Sequence, residues 1–524
     1  MVCAATAWLG GASVCLATVY EVGPGQAYTS IGAVPWEGLD PGDEVRIHWR
    51  AASYQEKFVI GRQGTAAAPI VVRGIPGPQG ELPVIDGNGA TTRLALDYWS
   101  ESRGVIKIGG SSVPPDVTPR YIVVEHLDVR SARPPYTFTD DTGATVSYPN
   151  NAASIYLEKG EHITIRDCEI HDSGNGLFVA SSDENVSRDI LIERCFIHGN
   201  GNVGSIYEHN TYTAAIGITY QFNRFGPLRS GAGGNNLKDR SAGLVVRYNW
   251  IEGGNRQLDL VDAEDSAQIR NDSEYGRTIV YGNILLETEE TGNRQIVHYG
   301  GDSGVTATYR KGRLYFYHNT VVSTRSDGMT LLRLSTNDEA CDARNNIAWV
   351  TSGGGALALL DSTGQLDITH NLFKAGWIAA SSGLTGTLND DGTTVEPVAP
   401  GFLDLAGGNF HLAADSPAID AATGLRAEVL PANDVTQQYL VHRGQAERLV
   451  AGAARDIGAF EYLPGDIDGD GAVSLADFAA WPDCVTGPAV SVASSCRPLD
   501  FDLDDDIDLL DFAYLQRALG GSGG

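Results

Sequence analysis

Apolar and polar positions alternate with period two along most of this chain, and one recurring bend interrupts the alternation at near-regular intervals. The unit is apolar–x–apolar–x–x–(Asn or Cys)–x–apolar. It reads ITIRDCEI around Cys168, ILIERCFI around Cys195, ITYQFNRF around Asn223 and LVVRYNWI around Asn249. It continues as TIVYGNIL around Asn283 and LYFYHNTV around Asn319, with weaker copies CDARNNIA at Asn346 and LDITHNLF at Asn371. Successive anchors lie 27, 28, 26, 34, 36, 27 and 25 residues apart. Alternation on both sides of the anchor predicts strand–turn–strand rather than helix. Asn suits the bend because it tolerates the left-handed conformation and can bond its own backbone. Units of this length, each able to bury its apolar face only against the next copy, predict an all-β solenoid, a β-helix with the anchors stacked at one corner. A leucine-rich repeat would need a fixed Leu framework and a propeller blade a longer period.

The opening stretch YEVGPGQAYTSIGAVPWEGLDPGDEVRIHW resembles the start of right-handed parallel β-helix proteins of the pectate-lyase type, in which a capping segment precedes the first coil. Further strands follow in PIVVRGI and RYIVVEHLDV, and residues 131–151, rich in Pro, Thr and Asp, read as a loop inserted into one coil. HLAADSPAIDAATG and ARDIGAFEY resemble the closing segments of bacterial secreted β-helix proteins. The resemblance implies a right-handed parallel β-helix over residues 18–462, of roughly ten coils.

After residue 462 the composition changes. Residues 465–524 hold 12 Asp and no Glu against Arg497 and Arg517, a net −10. Asp466, Asp468, Asp470, Ser474 and Asp477 occupy loop positions 1, 3, 5, 9 and 12, with Gly471 at the sharp sixth position. That spacing wraps a hard cation in oxygen. Thirty-four residues later Asp500, Asp502, Asp504, Asp508 and Asp511 repeat the offsets, with Asp505 in place of the turn glycine. Each loop runs into an apolar helical stretch, LADFAAW and LLDFAYLQRAL. Residues 463–524 thus resemble a dockerin, a small α-helical module with duplicated calcium loops, which implies two Ca2+ ions and a cohesin-domain partner.

Charge and cysteine usage narrow the picture. The 524 residues carry 37 Lys+Arg against 66 Asp+Glu, a net charge of −29, which argues against a nucleic-acid partner. Sixty-three Gly and two Met favour a turn-rich β architecture. The apolar, small-residue segment 1–17 reads as a secretory signal, which predicts an exported, extracellular protein, and no later apolar run is long enough to span a membrane. In an exported chain Cys484 and Cys496, 12 apart, are expected to pair. Cys168 and Cys195 share a repeat position and are expected to stack as buried small residues; no spacing supports zinc. The mature chain is expected to be a monomer.

In a β-helix, chemistry is built from outward side chains of adjacent rungs. Aligning the strand after each bend on the inward aliphatics Leu177, Ile206, Leu237, Leu258 and Ile296 sends two columns outward. One column is Phe178, Tyr207, Lys238, Asp259 and Val297; the other is Ala180, His209, Arg240, Val261 and Tyr299. Tyr207, His209, Lys238, Arg240 and Asp259 then form one cluster, unusual for its cations in an acidic chain. Cleavage of a uronic-acid polymer by β-elimination needs a cation to neutralise the sugar carboxylate, a base for the adjacent C5 proton and an acid for the leaving oxygen. Arg240 and His209 suit the first role, Lys238 the second, Tyr207 or His209 the third. The stretch NNLKDRSAGLVVRYNWI also resembles the chondroitinase B and alginate lyase family, which carries a base Lys just before an RYNTF-like strand; the likeness implies a base role for Lys238. One rung later Asp259 stands where that family has Arg, and Gly231 and Gly233 stand where it has calcium-binding Glu, so no catalytic metal is implied. A second enzyme reading is a glycoside hydrolase using paired carboxylates from Asp259, Asp262, Glu208 and Asp239. A third is a non-catalytic β-helix that binds or adheres to glycans.

Overall fold

The computed structural model describes residues 17–289, 292–353, 355–467, 473–488, 490–501, 504 and 506–521. The signal-like segment, Ala17 apart, and the loop residues Asp468, Asp470 and Asp502 lie outside them. The chain forms a parallel β-helix. One sheet of thirteen strands runs from Val19–Val22 to Thr387–Asp390, a second of ten from Val84–Asp86 to Leu372–Phe373, and a third of fourteen ends at Ile378–Ala380. One coil visits all three in turn: Glu161–Arg166 in the first, Glu169–His171 in the second, Asn175–Val179 in the third, then Ser187–Glu193 back in the first. Coil-to-coil pairing is parallel and in register, as in Ile163 beside Ile190, Ile218 and Leu244, all buried. The period-two pattern dictates this, because only in-register stacking keeps every aliphatic inside. Among the described residues no helix is long and apolar enough to cross a membrane.

The corner stack forms as the repeat predicts, but its physical basis differs. The left-handed residue is the one before each anchor: Asp167, Arg194, Phe222, Tyr248, His318, Asn345 and His370, with φ between 46 and 57°, and Gly282 at 66°. Each such non-glycine bend costs about 1–2 kcal/mol. The Asn side chains offset that cost by a continuous hydrogen-bond ladder. Asn249 Oδ1 accepts the Asn223 backbone N–H at 3.0 Å and the Asn223 Nδ2–H at 2.9 Å, while its own Nδ2 donates to the Tyr220 and Arg247 carbonyls and to Asn283 Oδ1. The pattern repeats through Asn283, Asn319, Asn346 and Asn371, all fully buried. Cys168 and Cys195 stand buried and unpaired where the ladder begins. Asn249→Ala would strand buried groups on both neighbouring coils at about 1–3 kcal/mol each. The expected loss is roughly 3–5 kcal/mol by denaturant titration, and an unchanged midpoint would show that the ladder does not stabilise the coil.

The closing segments do not cap the solenoid end. Residues 399–462 fold back along its flank, with paired strands Phe402–Asp404 and Asn409–Leu412, then Gln437–Leu440 and Gly444–Glu447. The reason is that the outward positions of six consecutive coils are apolar or aromatic and need cover. Phe222, Tyr248, Tyr281 and Tyr317 pack under Val429 and Val435; Trp250, Ile284 and Val322 under Phe410, Tyr439 and Phe460; Ile347, Trp349 and Leu372 under Leu412 and Ile457. In the tail, short helices Leu475–Phe478 and Trp481–Cys484 and the longer Leu509–Gly521 enclose a small core of Val492, Leu499, Ile507 and Leu515, and the expected Cys484–Cys496 disulfide is present.

Candidate active site

The third sheet presents one outward side chain per coil from short strands held by buried neighbours. The observed column is Phe178, Tyr212, Lys238, Asp259, His298 and Arg333. Two members differ from the sequence alignment, and each error is a register shift. Thr211, not Ile206, faces inward beside Leu237, so Tyr212 takes the rung position assigned to Tyr207. Tyr207 sits in the preceding loop, 76 % exposed and outside the cluster. Val297, not Ile296, pairs with Leu258, which turns His298 outward. A one-residue slip exchanges the faces of a strand.

Lys238, Arg240 and Asp259 do come together. Lys238 Nζ lies 2.7 Å from Asp259 Oδ2 and 2.5 Å from Asp302 Oδ2. Arg240 Nε donates to the Tyr212 phenol oxygen at 2.7 Å, and its Nη2 reaches Asp302 Oδ1 and Glu264 Oε1, both at 2.9 Å. Asp302, one-third exposed, thus bridges both cations from a loop that begins Gly300–Gly301. Asp262 lies under that loop and accepts hydrogen bonds from the Ser303 and Thr308 hydroxyls and the Asp302 and Ser303 N–H groups.

The electrostatics reassign several roles. Burial alone would lower the Lys238 pKa, but Asp259 and then Asp302 outweigh it and hold the amine above its ordinary value. Arg240 opposes them without prevailing. In the resting protein Lys238 is therefore an ammonium. His209, fully enclosed, is pushed down to about 3 by burial and by Lys238. Its Nδ1 accepts the Asn235 N–H at 2.8 Å, so it is a neutral imidazole and does not supply the positive charge assigned to it. For Asp259 burial is outweighed by Lys238 and His298, and for Asp262 by Ser303 and Thr308. Both carboxyls sit below their usual range, so neither is the proton donor that a hydrolase pair requires. Glu208 is buried outside the column, and Asp239 points inward to Thr213, Ser241 and the enclosed Arg310.

His209 makes acid stability measurable. Its folded pKa lies below the unfolded one, so its contribution is complete above about pH 6.5 and is lost as pH falls toward about 3. By pH 5 the loss is about 2 kcal/mol at ~1.4 kcal/mol per unit, while most unfolded-state carboxylates are still ionised. His209→Asn keeps an acceptor for Asn235 and removes the titration. It is expected to flatten the slope between pH 6.5 and 4 in denaturant titrations; an unaltered slope would place the acid sensitivity elsewhere.

No protein-family model matches the chain, and no curated protein is similar to it in sequence. Solved structures with a similar chain path include pectate lyase Pel9A, at 12 % identity and a TM-score of 0.46 over 85 % of this chain and 96 % of that one. A rhamnogalacturonan lyase is 13 % identical with a TM-score of 0.43, covering 68 % and 87 %. The GH136 lacto-N-biosidase from Eubacterium ramulus is 13 % identical with a TM-score of 0.41, covering 72 % and 68 %.

Proposed function

We propose that this chain is a secreted polysaccharide-active enzyme, a lyase that cleaves uronic-acid-containing polymers by β-elimination, and that its tail is a calcium-dependent dockerin-like tether. The observation that carries the first part is the grip of Lys238 and Arg240 on the Asp302 carboxylate, which occupies the place a sugar carboxylate would take. When substrate displaces Asp302, Arg240 neutralises the incoming carboxylate and makes the C5 proton acidic. With the sugar carboxylate drawn onto Arg240 rather than onto Lys238, Lys238 gives up its direct contact with Asp302, while burial and Arg240 still press its pKa down. As the amine it takes the C5 proton, the electron pair forms the C4–C5 double bond, and the C4–O bond breaks. Tyr212 accepts from Arg240 through its oxygen, which leaves its own O–H to protonate the departing sugar.

The test is a screen of the full chain against pectate, alginate and glycosaminoglycans. Ultraviolet absorbance of an unsaturated uronide, rising with new reducing ends, is the expected result. Reducing ends without absorbance would favour the hydrolase, and neither signal the glycan-binding reading.

For the tail, support comes from its internal symmetry. Asp477 accepts from the Ile467 and Ser474 N–H groups, and Asp511, 34 residues on, accepts from Phe501 and Asp508 in the same way. Carboxylate oxygens of Asp506, Asp508 and Asp511 lie within 4.8 Å of one another, a spacing that suits one hard cation of calcium size. Asp466, Asp468, Asp470, Ser474 and Asp477 would hold one ion and Asp500, Asp502, Asp504, Asp508 and Asp511, joined by Asp506, the other; a cohesin-type domain is the proposed partner.

A further inference from the structure

Beside Asp259 the site carries His298 and Ser335, which elimination does not use. His298 Nδ1 lies 2.8 Å from Asp259 Oδ1, and His298 Nε2 lies 2.9 Å from the Ser335 hydroxyl oxygen. With Asp259 ionised, Nδ1 carries the imidazole proton and Nε2 is the free acceptor. Ser335 follows the strand Met329–Leu334, is partly exposed, and accepts the Gly301 N–H at 2.9 Å. Its single hydroxyl proton has three acceptors in reach: His298 Nε2, the Gly301 carbonyl at 3.0 Å and the Tyr299 carbonyl at 3.3 Å. Only the imidazole can remove it. Arg333 is the next outward residue after His298 and makes no hydrogen bond or ion pair among the described residues, so its guanidinium is available to a developing oxyanion. Asp259 is fixed from the other side by Lys238 and Asn235, which orients it toward His298.

We infer that Asp259, His298 and Ser335 form a hydrolytic relay for carboxylic esters, so that the same site, on the proposed reading, also removes O-acyl groups from the polysaccharide. The pattern is a nucleophile held by a base that is in turn oriented by a buried carboxylate. Ser335 Oγ attacks the ester carbonyl while Nε2 takes its proton. The bond from the acyl carbon to the sugar oxygen breaks, and Nε2 returns the proton to that oxygen. Water, deprotonated by the same nitrogen, then attacks the acyl carbon; the acyl C–Oγ bond breaks, Nε2 returns the proton to Ser335 Oγ, and the free acid is released. This activity does not depend on the elimination chemistry, and it is read separately.

The experiment uses the full chain with 4-nitrophenyl acetate as substrate and a fluorophosphonate as active-site label. The expected result is ester hydrolysis with one label on the peptide that contains Ser335. Ser335→Ala and His298→Asn (whose amide preserves the contact to Asp259) should each lower hydrolysis by at least about a thousandfold at an unchanged melting midpoint. Because burial keeps His298 neutral below the ordinary histidine range, hydrolysis should persist into mildly acidic buffer. A folded wild-type chain that hydrolyses the ester no faster than the heat-denatured chain overturns the inference, as does a label that lands on another residue. Uronide absorbance, measured in parallel, should survive Ser335→Ala, so failure of the lyase reading and failure of this one are distinguishable.

Discussion

Lys238→Arg is expected to abolish uronide formation, by about 10²–10⁴-fold, while leaving the fold intact. Arginine preserves the positive charge between Asp259 and Asp302 but is never deprotonated, so it removes the base and little else. Lys238→Ala should be as inactive and also less stable, because it leaves the buried Asp259 without its nearest cation. The pH profile supplies the sharper test. Asp259 and Asp302 hold the free-enzyme amine above the ordinary lysine range, so turnover should climb with pH without a plateau near neutrality. Asp302→Asn removes one of the two raising charges, and the alkaline limb should move to lower pH. Retained turnover in Lys238→Arg, or a limb that ignores Asp302→Asn, would remove Lys238 from the base role.

Chelation of calcium should unfold the tail and spare the solenoid. Twelve Asp in sixty residues repel one another without a counterion, and the apolar core under the loops is small. Limited proteolysis of the full chain in EDTA is expected to cut within residues 463–524 and stop at the β-helix, with protection restored by calcium. The loop with Gly471 at its turn should fill before the loop with Asp505 there, because glycine alone accepts a sharp turn without strain. Identical digestion with and without calcium would mean the tail is not a metal-folded module. The disulfide between Cys484 and Cys496 limits how far the unfolded tail can expand, so cleavage outside that pair should come first.

What the chain discloses about itself follows the strength of each pattern. Stacked coils, the Asn corner and the duplicated loops are written as repeats, and each repeat confirms the next. The site is legible only where the repeat is regular: Lys238, Arg240 and Asp259 sit on strands whose inward Leu237 and Leu258 are unambiguous. It fails at Tyr212, where a polar Thr211 takes the inward position after a twelve-residue loop, and at His298, where Ile296 and Val297 are equally apolar and both buried. Asp302 and Ser335 lie on connections, whose course no periodicity records. The flank segment was readable as β-helix sequence but not as a brace. Its cue lies in the outward Tyr and Trp of coils 222–349, which an exposed solenoid face would not carry.

That brace alters how the molecule comes apart. A bare solenoid is held by nearest-neighbour interfaces and can peel one coil at a time from either end. Residues 399–462 lie across the coils that carry Phe222, Trp250, Tyr281, Tyr317, Trp349 and Leu372, so none of those coils can detach without lifting the same splint. The C-terminal half therefore behaves as one mechanical block, and the coils before it retain independent fraying. The relay residues Asp259, His298 and Ser335 fall within the splinted span, where fluctuations of single rungs against one another are suppressed.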